Sequence, residues 1–253
     1  MSSGVISINK ATYQSNRIVR SYAREPSRLT AFEQFCLDRV PAKSRMSILD
    51  IGVGGGRTSR PLADMFAVYT GIDYAPRMIE AAIARHPDLD LRVMNASSLA
   101  FGEQFDVAMF SFNGIDYVDS ATRFAIQREM MRVLRPGGYM IYSTHNLNYR
   151  RVATWQKSIW VRELGPRRPG DVLGMFNRIR NYFAARGADE YGIAFVNDPG
   201  ERFGVVTAYI DIPHELVRLA AMGLEVETTI GNRKSTAGYD ADDSWVYILA
   251  RKR

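Results

Sequence analysis

Cysteine is almost absent from this chain of 253 residues, since only Cys36 is present. A single thiol excludes an internal disulfide framework and any metal site built from several cysteines. Long apolar runs are also missing, because the most apolar stretch, residues 105–118, is interrupted by Asp106 and Asp116. A membrane-spanning helix needs about 18 or more apolar residues in succession, and residues 1–10 lack the apolar core of a signal peptide. We therefore expect a cytoplasmic protein without a membrane span.

The positive charge of the sequence is unevenly distributed. The chain has 33 basic and 27 acidic side chains, which gives a net charge of +6. Residues 145–188 hold nine basic and two acidic side chains, and residues 1–47 hold eight and three. Clustered positive charge is typical of a surface that binds an anionic partner or of a solvated helix face, and composition does not choose between them.

Short apolar runs alternate with helical patterns between residues 46 and 144. The apolar runs are 46–51, 67–72, 91–94, 105–112 and 139–144, and the helical patterns are 57–66, 76–85 and 121–134. Strands of continuous apolar character separated by helices predict a doubly wound α/β fold with a mostly parallel sheet covered on both faces. Before them, residues 12–40 predict two short helices that break around Pro26.

The rest of the chain predicts an insertion followed by the end of the sheet. Residues 146–190 are rich in arginine and aromatic side chains and predict inserted helices, and 191–197 and 203–212 predict a β-hairpin. A helix over 213–222 and strands over 224–230 and 245–250 follow. We divide the chain into an N-terminal helical arm (1–45), a cofactor-binding core (46–145), a lid insertion (146–212) and a C-terminal helix and strand pair (213–253).

The strongest chemical signal is a glycine-rich turn directly after the first predicted strand. Residues 50–56 read DIGVGGG, and a helical pattern follows. Such a turn lets the backbone approach a ligand closely and directs helix N-terminal amides at it. The dinucleotide fingerprint requires a further glycine where this chain has Arg57, so a nicotinamide or flavin site is disfavoured. Asp73 ends the next apolar run, where a carboxylate can bind both hydroxyls of a ribose.

The ordered series of motifs resembles the class I S-adenosylmethionine-dependent methyltransferases of the small-molecule type. Residues 50–56 are followed, in the family's order and spacing, by segments 71–78 (GIDYAPRM), 95–101 (NASSLAF), 105–113 (FDVAMFSFN) and 134–138 (LRPGG). The resemblance implies a Rossmann-like sheet of seven strands and S-adenosylmethionine as the cofactor, with a methyl group transferred by in-line displacement.

The resemblance also implies which residues contact the cofactor. They are Tyr22, Asp50, Gly52, Gly54, Asp73, Tyr74, Met78, Asn95, Ala96, Ser97, Ser111 and Phe112. In this assignment Asp73 binds the ribose, and the amide oxygen of Asn95 accepts from the adenine where the family commonly has an aspartate. For Asp50 the alternative is an acid that organises the loop without touching the ligand.

His145 is our candidate for a catalytic residue. Methyl transfer needs a base only when the acceptor holds a proton at neutral pH, as a hydroxyl does. His145 directly follows the fifth predicted strand, at the edge where parallel sheets place their ligands, and an imidazole is a suitable base at neutral pH. The alternative is a histidine that only orders the turn into the insertion.

The insertion bears on the class of acceptor. Its arginines include Arg150, Arg151, Arg167, Arg168, Arg178 and Arg180. If two or three of them face the pocket, they suit a small anionic metabolite that carries a phosphate or carboxylate. The sequence lacks the NPPY, DPPY and Pro-Cys segments that mark methyltransferases of nucleic acid bases. A tRNA or rRNA methyltransferase and a catalytically silent scaffold subunit stay open as alternatives, as does assembly into a homodimer.

Overall fold

The computed structural model describes residues 2–150, 152, 172–182, 191–197 and 199–253. The helices predicted over much of the insertion, with Trp155, Trp160, Arg167 and Arg168, lie outside the described residues, as does Arg151. Within the part of the chain that is described, no helix is both long and apolar enough to cross a membrane.

The described elements follow each other in an alternating α/β order. The α-helices are α1 (Ser2–Tyr13), α2 (Asn16–Ala23), α3 (Ala31–Leu37), α4 (Ser59–Met65), α5 (Pro76–Arg85), α6 (Ser120–Val133), α7 (Val172–Tyr182) and α8 (Ile212–Ala221). The strands are β1 (Ser47–Ile51), β2 (Val68–Asp73), β3 (Leu91–Val93), β4 (Phe105–Phe110), β5 (Leu134–Asn146), β6 (Ile193–Val196), β7 (Thr207–Ile210), β8 (Leu224–Gly231) and β9 (Trp245–Lys252). Short 3₁₀ turns lie at Lys43–Arg45, Gly114–Asp116 and Gly200–Phe203.

One open sheet contains all of these strands. Strands β3, β2, β1, β4 and β5 are parallel neighbours in that order, and β9 then pairs antiparallel with both β5 and β8. These seven strands form the mostly parallel sheet that the alternation predicts, so the predicted fold class is confirmed. The β6–β7 hairpin of the insertion joins the end of β5, where His145 and Asn146 pair with Tyr209 and Ile210.

Helices cover both faces of the sheet. Ile48 of β1 lies in a core with side chains of α3, α4 and α5, and its neighbour Leu49 lies in the opposite core with side chains of α6 and α8. Both residues are fully buried. Because each strand is buried on both sides, its sequence is a continuous apolar run rather than an alternation of apolar and polar residues.

The N-terminal arm holds one helix more than the sequence predicts. The two expected helices correspond to α2 and α3, and α1 precedes them. Asn9 of α1 is buried, its side-chain amide donates to the carbonyls of Tyr117 and Val206 at 2.8 Å each, and its oxygen accepts from the Val206 N–H at 2.9 Å. These bonds fix α1 across the carboxyl ends of the central strands.

Candidate active site

A cavity of about 510 Å³ opens at the carboxyl ends of β1, β2 and β4, beside α1 and α2. All but one of the predicted cofactor residues line it. They are Tyr22, Gly52, Gly54, Asp73, Tyr74, Met78, Asn95, Ala96, Ser97, Ser111 and Phe112. The structure therefore gathers into one space side chains that are spread over 91 positions of the sequence.

The glycine loop approaches this cavity because two of its residues have no side chain. Gly52 and Gly54 have φ angles of 70° and 53°, in the left-handed region that favours glycine. A Cβ atom on Gly54 would lie 3.1 Å from the ring of Tyr22, and one on Gly52 would lie 2.5 Å from Phe110. The loop can therefore pack directly under the aromatic ring that α2 presents to the cavity.

Asp73 ends β2 and is held by backbone groups on both sides of the cavity. One carboxylate oxygen accepts from the Gly54 N–H at 3.0 Å, and the other accepts from the Ala75 N–H at 2.8 Å. Burial raises the pKa of Asp73 to about 6, although the backbone bonds act in the opposite direction. The backbone N–H of Tyr74 also bonds this carboxylate, and a lone pair that the three amides leave can accept from a hydroxyl.

Asn95 also lines the cavity and is already engaged within its own turn. Its amide oxygen accepts from the backbone N–H of Ser97 at 3.0 Å and from the Ser97 hydroxyl at 2.9 Å. A carbonyl oxygen has two lone pairs, so both are in use. The two bonds from Ser97 therefore compete with the predicted bond from the adenine to this oxygen. The Asn95 NH₂ group can instead donate to a ring nitrogen.

Ser111 and Phe112 follow β4 and form the third wall of the cavity. The backbone of Phe112 has a φ of 55° and that of Asn113 a φ of 57°, which are uncommon values for residues other than glycine. This conformation leaves the Phe112 ring 46% exposed and 6.1 Å from the ring of Trp245. The hydroxyl of Ser111 is buried and donates to Glu33.

Asp50 is the predicted cofactor residue that does not line the cavity. One oxygen of its buried carboxyl accepts from the hydroxyls of Thr58 at 2.7 Å and Tyr69 at 3.0 Å. Burial raises the pKa of Asp50 to about 7 despite these bonds. The geometry corresponds to the alternative role stated for this residue, an acid that organises the glycine loop from behind.

A buried ion pair behind the glycine loop was not expected from the sequence. The guanidinium of Arg57 donates to both oxygens of Glu33, at 2.9 and 2.6 Å, and to the Ser111 hydroxyl at 3.1 Å. Burial alone would raise the pKa of Glu33, but bonds from Arg57, Ser111 and a backbone amide hold it below its usual value. Arg57, Gly52 and Gly54 together line a second cavity of about 40 Å³.

His145 lies beside the main cavity but does not line it. The imidazole is buried, its Nδ1 is 2.8 Å from a carboxylate oxygen of Asp116, and its Nε2 is 3.4 Å from the side-chain amide of Asn113. Its ring centre is 4.9 Å from that of Tyr209 and 6.3 Å from that of Tyr117, which does line the cavity. The ring of Tyr117 thus borders both the histidine and the cavity.

Several cavity residues were missed because their positions depend on the fold. Ile6, Lys10 and Tyr13 reach the cavity from α1. The rings of Tyr13 and Tyr22 lie 6.1 Å apart because the chain breaks between the two helices, where Ser15 accepts from the Ile18 N–H. The only sequence signal for this arrangement was the break itself, since two tyrosines nine positions apart on one helix would not meet.

The described arginines of the insertion are engaged away from the cavity. Arg150 lies 3.1 Å from Asp242, the buried Arg178 donates to the carbonyl of Asn197, and Arg180 donates to Asn181 at 2.9 Å. None of the three lines the cavity. An anionic acceptor site would therefore depend on the arginines that lie outside the described residues.

A family model described as a methyltransferase domain matches residues 48–138. This match identifies residues 48–138 as a methyltransferase domain. Three relatives share sequence with this domain. They are a ubiquinone biosynthesis O-methyltransferase of Cereibacter sphaeroides (39% identity over 109 residues, 41% of this chain and 42% of the relative), one of Methylobacterium nodulans (30% over 149 residues, 57% and 54%), and a demethylmenaquinone methyltransferase of Paenarthrobacter aurescens (30% over 111 residues, 44% and 43%). The chain spans about half the length of the curated relatives it matches.

Solved structures show the same fold over most of the chain. The methyltransferase CcbJ of Streptomyces caelestis covers 95% of this chain and 98% of its own, with a TM-score of 0.63 and 18% identity. An S-adenosylmethionine-dependent methyltransferase of Mesorhizobium loti covers 88% and 98%, with a TM-score of 0.61 and 20% identity. At this level of identity the likeness concerns the fold alone.

S-adenosylmethionine is the cofactor of this domain family, and the cavity fits it. The cavity combines a glycine floor on which a Cβ atom would crowd neighbouring rings, a buried carboxylate, and apolar walls that include Met78 and Phe112. A nucleoside joined to a charged amino acid chain requires these three kinds of surface.

Proposed function

We propose that this protein transfers the methyl group of S-adenosylmethionine to a hydroxyl oxygen of a small molecule, with His145 as the general base. The observation that carries the proposal is the buried pair of His145 and Asp116 at the end of β5, next to the cofactor cavity. A base is required for a hydroxyl acceptor, which is a poor nucleophile until it loses its proton, and not for a neutral amine, whose nitrogen is nucleophilic as it stands, so the pair favours oxygen over nitrogen.

Asp116 orients the imidazole with a full set of hydrogen bonds. One oxygen accepts from both the backbone N–H and the Nδ1–H of His145, at 2.7 and 2.8 Å. The other accepts from Arg123 at 2.5 Å and from the Thr144 hydroxyl at 2.8 Å. With its proton held on Nδ1, His145 has its lone pair on Nε2, and this is the atom that accepts the proton of the acceptor hydroxyl.

The surroundings of His145 suit an acceptor with a planar ring. Tyr209, Tyr117 and Trp245 place their ring centres 4.9, 6.3 and 6.4 Å from that of the imidazole. Aromatic walls bind a flat ring by stacked and edge-on contacts. The names of two relatives, ubiquinone biosynthesis O-methyltransferases, agree with oxygen as the acceptor atom.

The residues of this chain have three tasks in the reaction. When bound, S-adenosylmethionine supplies a methyl group on a positively charged sulfur, which departs as a neutral thioether. Asp73 and the glycine loop hold the nucleoside, and Tyr13 and Tyr22 close the cavity against water. His145 removes the hydroxyl proton so that the oxygen can attack in line with the bond that breaks.

The proposal also includes an anionic acceptor. It depends on Arg151, Arg167 and Arg168 of the insertion, together with Lys10, a cation of α1 that lines the cavity. A carboxylate on the acceptor ring would be bound by such groups. A neutral ring with the same hydroxyl would then be a weaker substrate.

Three matched acceptors test both parts of the proposal. The purified protein is incubated with labelled S-adenosylmethionine and 3,4-dihydroxybenzoate, 3,4-dihydroxybenzyl alcohol or 3-aminobenzoate, after calorimetry with S-adenosylhomocysteine has verified cofactor binding. We expect transfer to the hydroxylated rings, with the carboxylate compound preferred. Faster transfer to the amine would contradict the oxygen assignment, and a folded protein that binds no S-adenosylhomocysteine would contradict methyltransferase activity.

A further inference from the structure

A chain of buried charges extends behind His145, away from the cavity. Asp116, Arg123 and Glu215 have no exposed surface, and they come from the turn after β4, from α6 and from α8. Arg123 donates to Asp116 at 2.5 Å and to Glu215 at 2.6 Å. Neither Arg123 nor Glu215 lines the cofactor cavity, so neither is explained by cofactor binding.

The arrangement is too costly to be explained by stability alone. Removing an ion from water costs several kcal/mol, and replacing a buried ion pair by well-packed apolar residues is often neutral or stabilising. Here Glu215 also accepts from Gln127 at 2.6 Å and from the Tyr142 hydroxyl, so five buried polar side chains depend on one another. What the cluster provides is a fixed cation beside the carboxylate that faces His145.

The charges of the cluster balance when His145 is neutral. Asp116 and Glu215 carry two negative charges, and Arg123 and Arg218 carry two positive ones, Arg218 being paired with Glu215. Among the described residues, the titratable groups that face the imidazole are Asp116 from the turn after β4, Tyr117 from the same turn and Tyr209 from β7. A proton added to His145 would therefore leave one unbalanced positive charge in a buried site.

Without Arg123 this balance would reverse. Asp116 would then face His145 as an uncompensated carboxylate, and a carboxylate within about 4–6 Å strongly favours the protonated imidazole. A protonated imidazole has no lone pair and cannot act as a base. The tight bond between Asp116 and His145 would orient the ring correctly but disable it at neutral pH.

We propose that Arg123 is a positioning residue that neutralises Asp116, so that Asp116 can orient His145 without protonating it. Glu215 in turn holds Arg123 in place through its own hydrogen bonds. The proposal rests on the proposed function in that it takes His145 to be the base. It adds that the active form of that base is set by an arginine on α6, which contacts neither the cofactor cavity nor the imidazole directly.

Nitrogen NMR of the imidazole groups tests the proposal without any acceptor. The chain has three histidines, and the exposed His214 and the buried His86, which contacts Gly56, serve as internal references. In the wild-type protein we expect His145 to be neutral at pH 7 with its proton on Nδ1. In the double variant Arg123→Met/Glu215→Gln, which removes one charge of each sign, we expect the ratio of protonated to neutral His145 to rise about tenfold or more. The lost cation acts on the imidazole more strongly than the lost anion, because Arg123 bonds Asp116 directly whereas Glu215 reaches Asp116 only through Arg123.

Two further variants make the result specific. Arg123→Lys keeps the positive charge and should restore the wild-type ratio. Glu215→Gln alone keeps Arg123, removes a negative charge and should shift the ratio towards neutral His145. Arg128→Met, at an exposed position of the same helix, is the matched control and should change nothing. Circular dichroism and S-adenosylhomocysteine binding verify that each variant is folded.

A folded double variant with the wild-type ratio would overturn the proposal. If the Arg123 variants do not fold, Glu215→Gln remains decisive, because an unchanged or increased protonated fraction in that variant contradicts the charge balance. Once an acceptor is in hand, the double variant should lose kcat at pH 7 with little change in KM and recover it at higher pH. If His145 proves irrelevant to transfer, the proposed function fails. The effect of Arg123 on the protonation of His145 is still decided by the NMR experiment alone.

Discussion

The two halves of the active site hold their buried acids in different ways. In the cofactor half, residues 46–101, Asp73 is bound by the backbone amides of Gly54 and Ala75. In the acceptor half, which joins the ends of β4 and β5 to α6 and α8, Asp116 is bound by Arg123, Thr144 and His145. Backbone amides hold an acid whatever the surrounding side chains are, whereas side-chain partners can be exchanged. The geometry of the proposed cofactor half can therefore persist when side chains change, whereas substitutions can alter the geometry of the proposed acceptor half.

The largest expected effect is in the acceptor half. His145→Gln should reduce kcat for a hydroxyl acceptor by about 1,000-fold, since the general base is lost, and should leave cofactor binding unchanged because His145 does not line the cavity. Initial rates and calorimetry with S-adenosylhomocysteine measure the two quantities. His214→Gln, at an exposed histidine, is the control. Equal rates in the two variants would remove His145 from the mechanism.

The corresponding change in the cofactor half should act on binding. Asp73→Asn replaces two acceptor oxygens by one and leaves an NH₂ group against a backbone donor, so we expect about 100-fold weaker binding of S-adenosylhomocysteine. Calorimetry measures the dissociation constant, and Asp90→Asn, an acid that pairs with Arg92 at the surface, is the matched control. A dissociation constant within twofold of the wild type would refute the ribose assignment.

A variant of Asp50 tests whether this residue organises the glycine loop or contacts the ligand. Its pKa in the folded protein is raised to about 7 by burial, so the folded state binds a proton more tightly than the unfolded state, and stability from this group falls as pH rises from about 4 to 7. Asp50→Asn lacks this dependence. Its free energy of unfolding, relative to the wild type, should therefore rise by about 2–3 kcal/mol between pH 5 and pH 8.

Chemical denaturation at the two pH values measures this difference. Asp64→Asn, at an exposed side chain, should show none. A relative stability of Asp50→Asn that does not change with pH would mean that Asp50 is ionised in the folded protein at both values. That outcome would point to a cation or ligand near its second oxygen, which has no partner within the described residues.

The smallest expected effect concerns the helix that spans both halves. Asn9→Ala removes the three hydrogen bonds that attach α1 to Tyr117 and Val206, and we expect about five- to tenfold weaker binding of S-adenosylhomocysteine, since part of the binding energy must then order α1. Ser7→Ala, on the exposed side of α1, is the control. Equal affinities of the two variants would show that α1 contributes nothing to retention of the cofactor.

The cofactor half could be predicted from the sequence because its determinants are local. The strand, the glycine turn and Asp73 lie within 27 consecutive residues, and each has a backbone reason to be where it is. The geometry agrees with eleven of the twelve predicted cofactor residues as neighbours in one cavity and separates Asp50 from them. The roles of these residues in binding stay predictions.

The acceptor half could not be predicted in the same way. Arg123 is 92 positions from Glu215 along the chain, and on α6 it resembles any arginine of a solvated helix. Only packing of α6 and α8 on one face of the sheet turns it into a buried cation. The helix α1 was missed for a related reason, because Asn9 is anchored by residues more than 100 positions away.

The left-handed turn at Phe112 and Asn113 has a consequence for protein engineering. Its two side chains diverge, one into the cofactor cavity and the other towards the imidazole of His145. An insertion or deletion in this turn would displace both side chains together, so a library aimed at new acceptors should leave the length of the segment 111–114 unchanged. Diversity is better introduced at Tyr209 and Trp245, whose rings contact His145 and do not line the cofactor cavity.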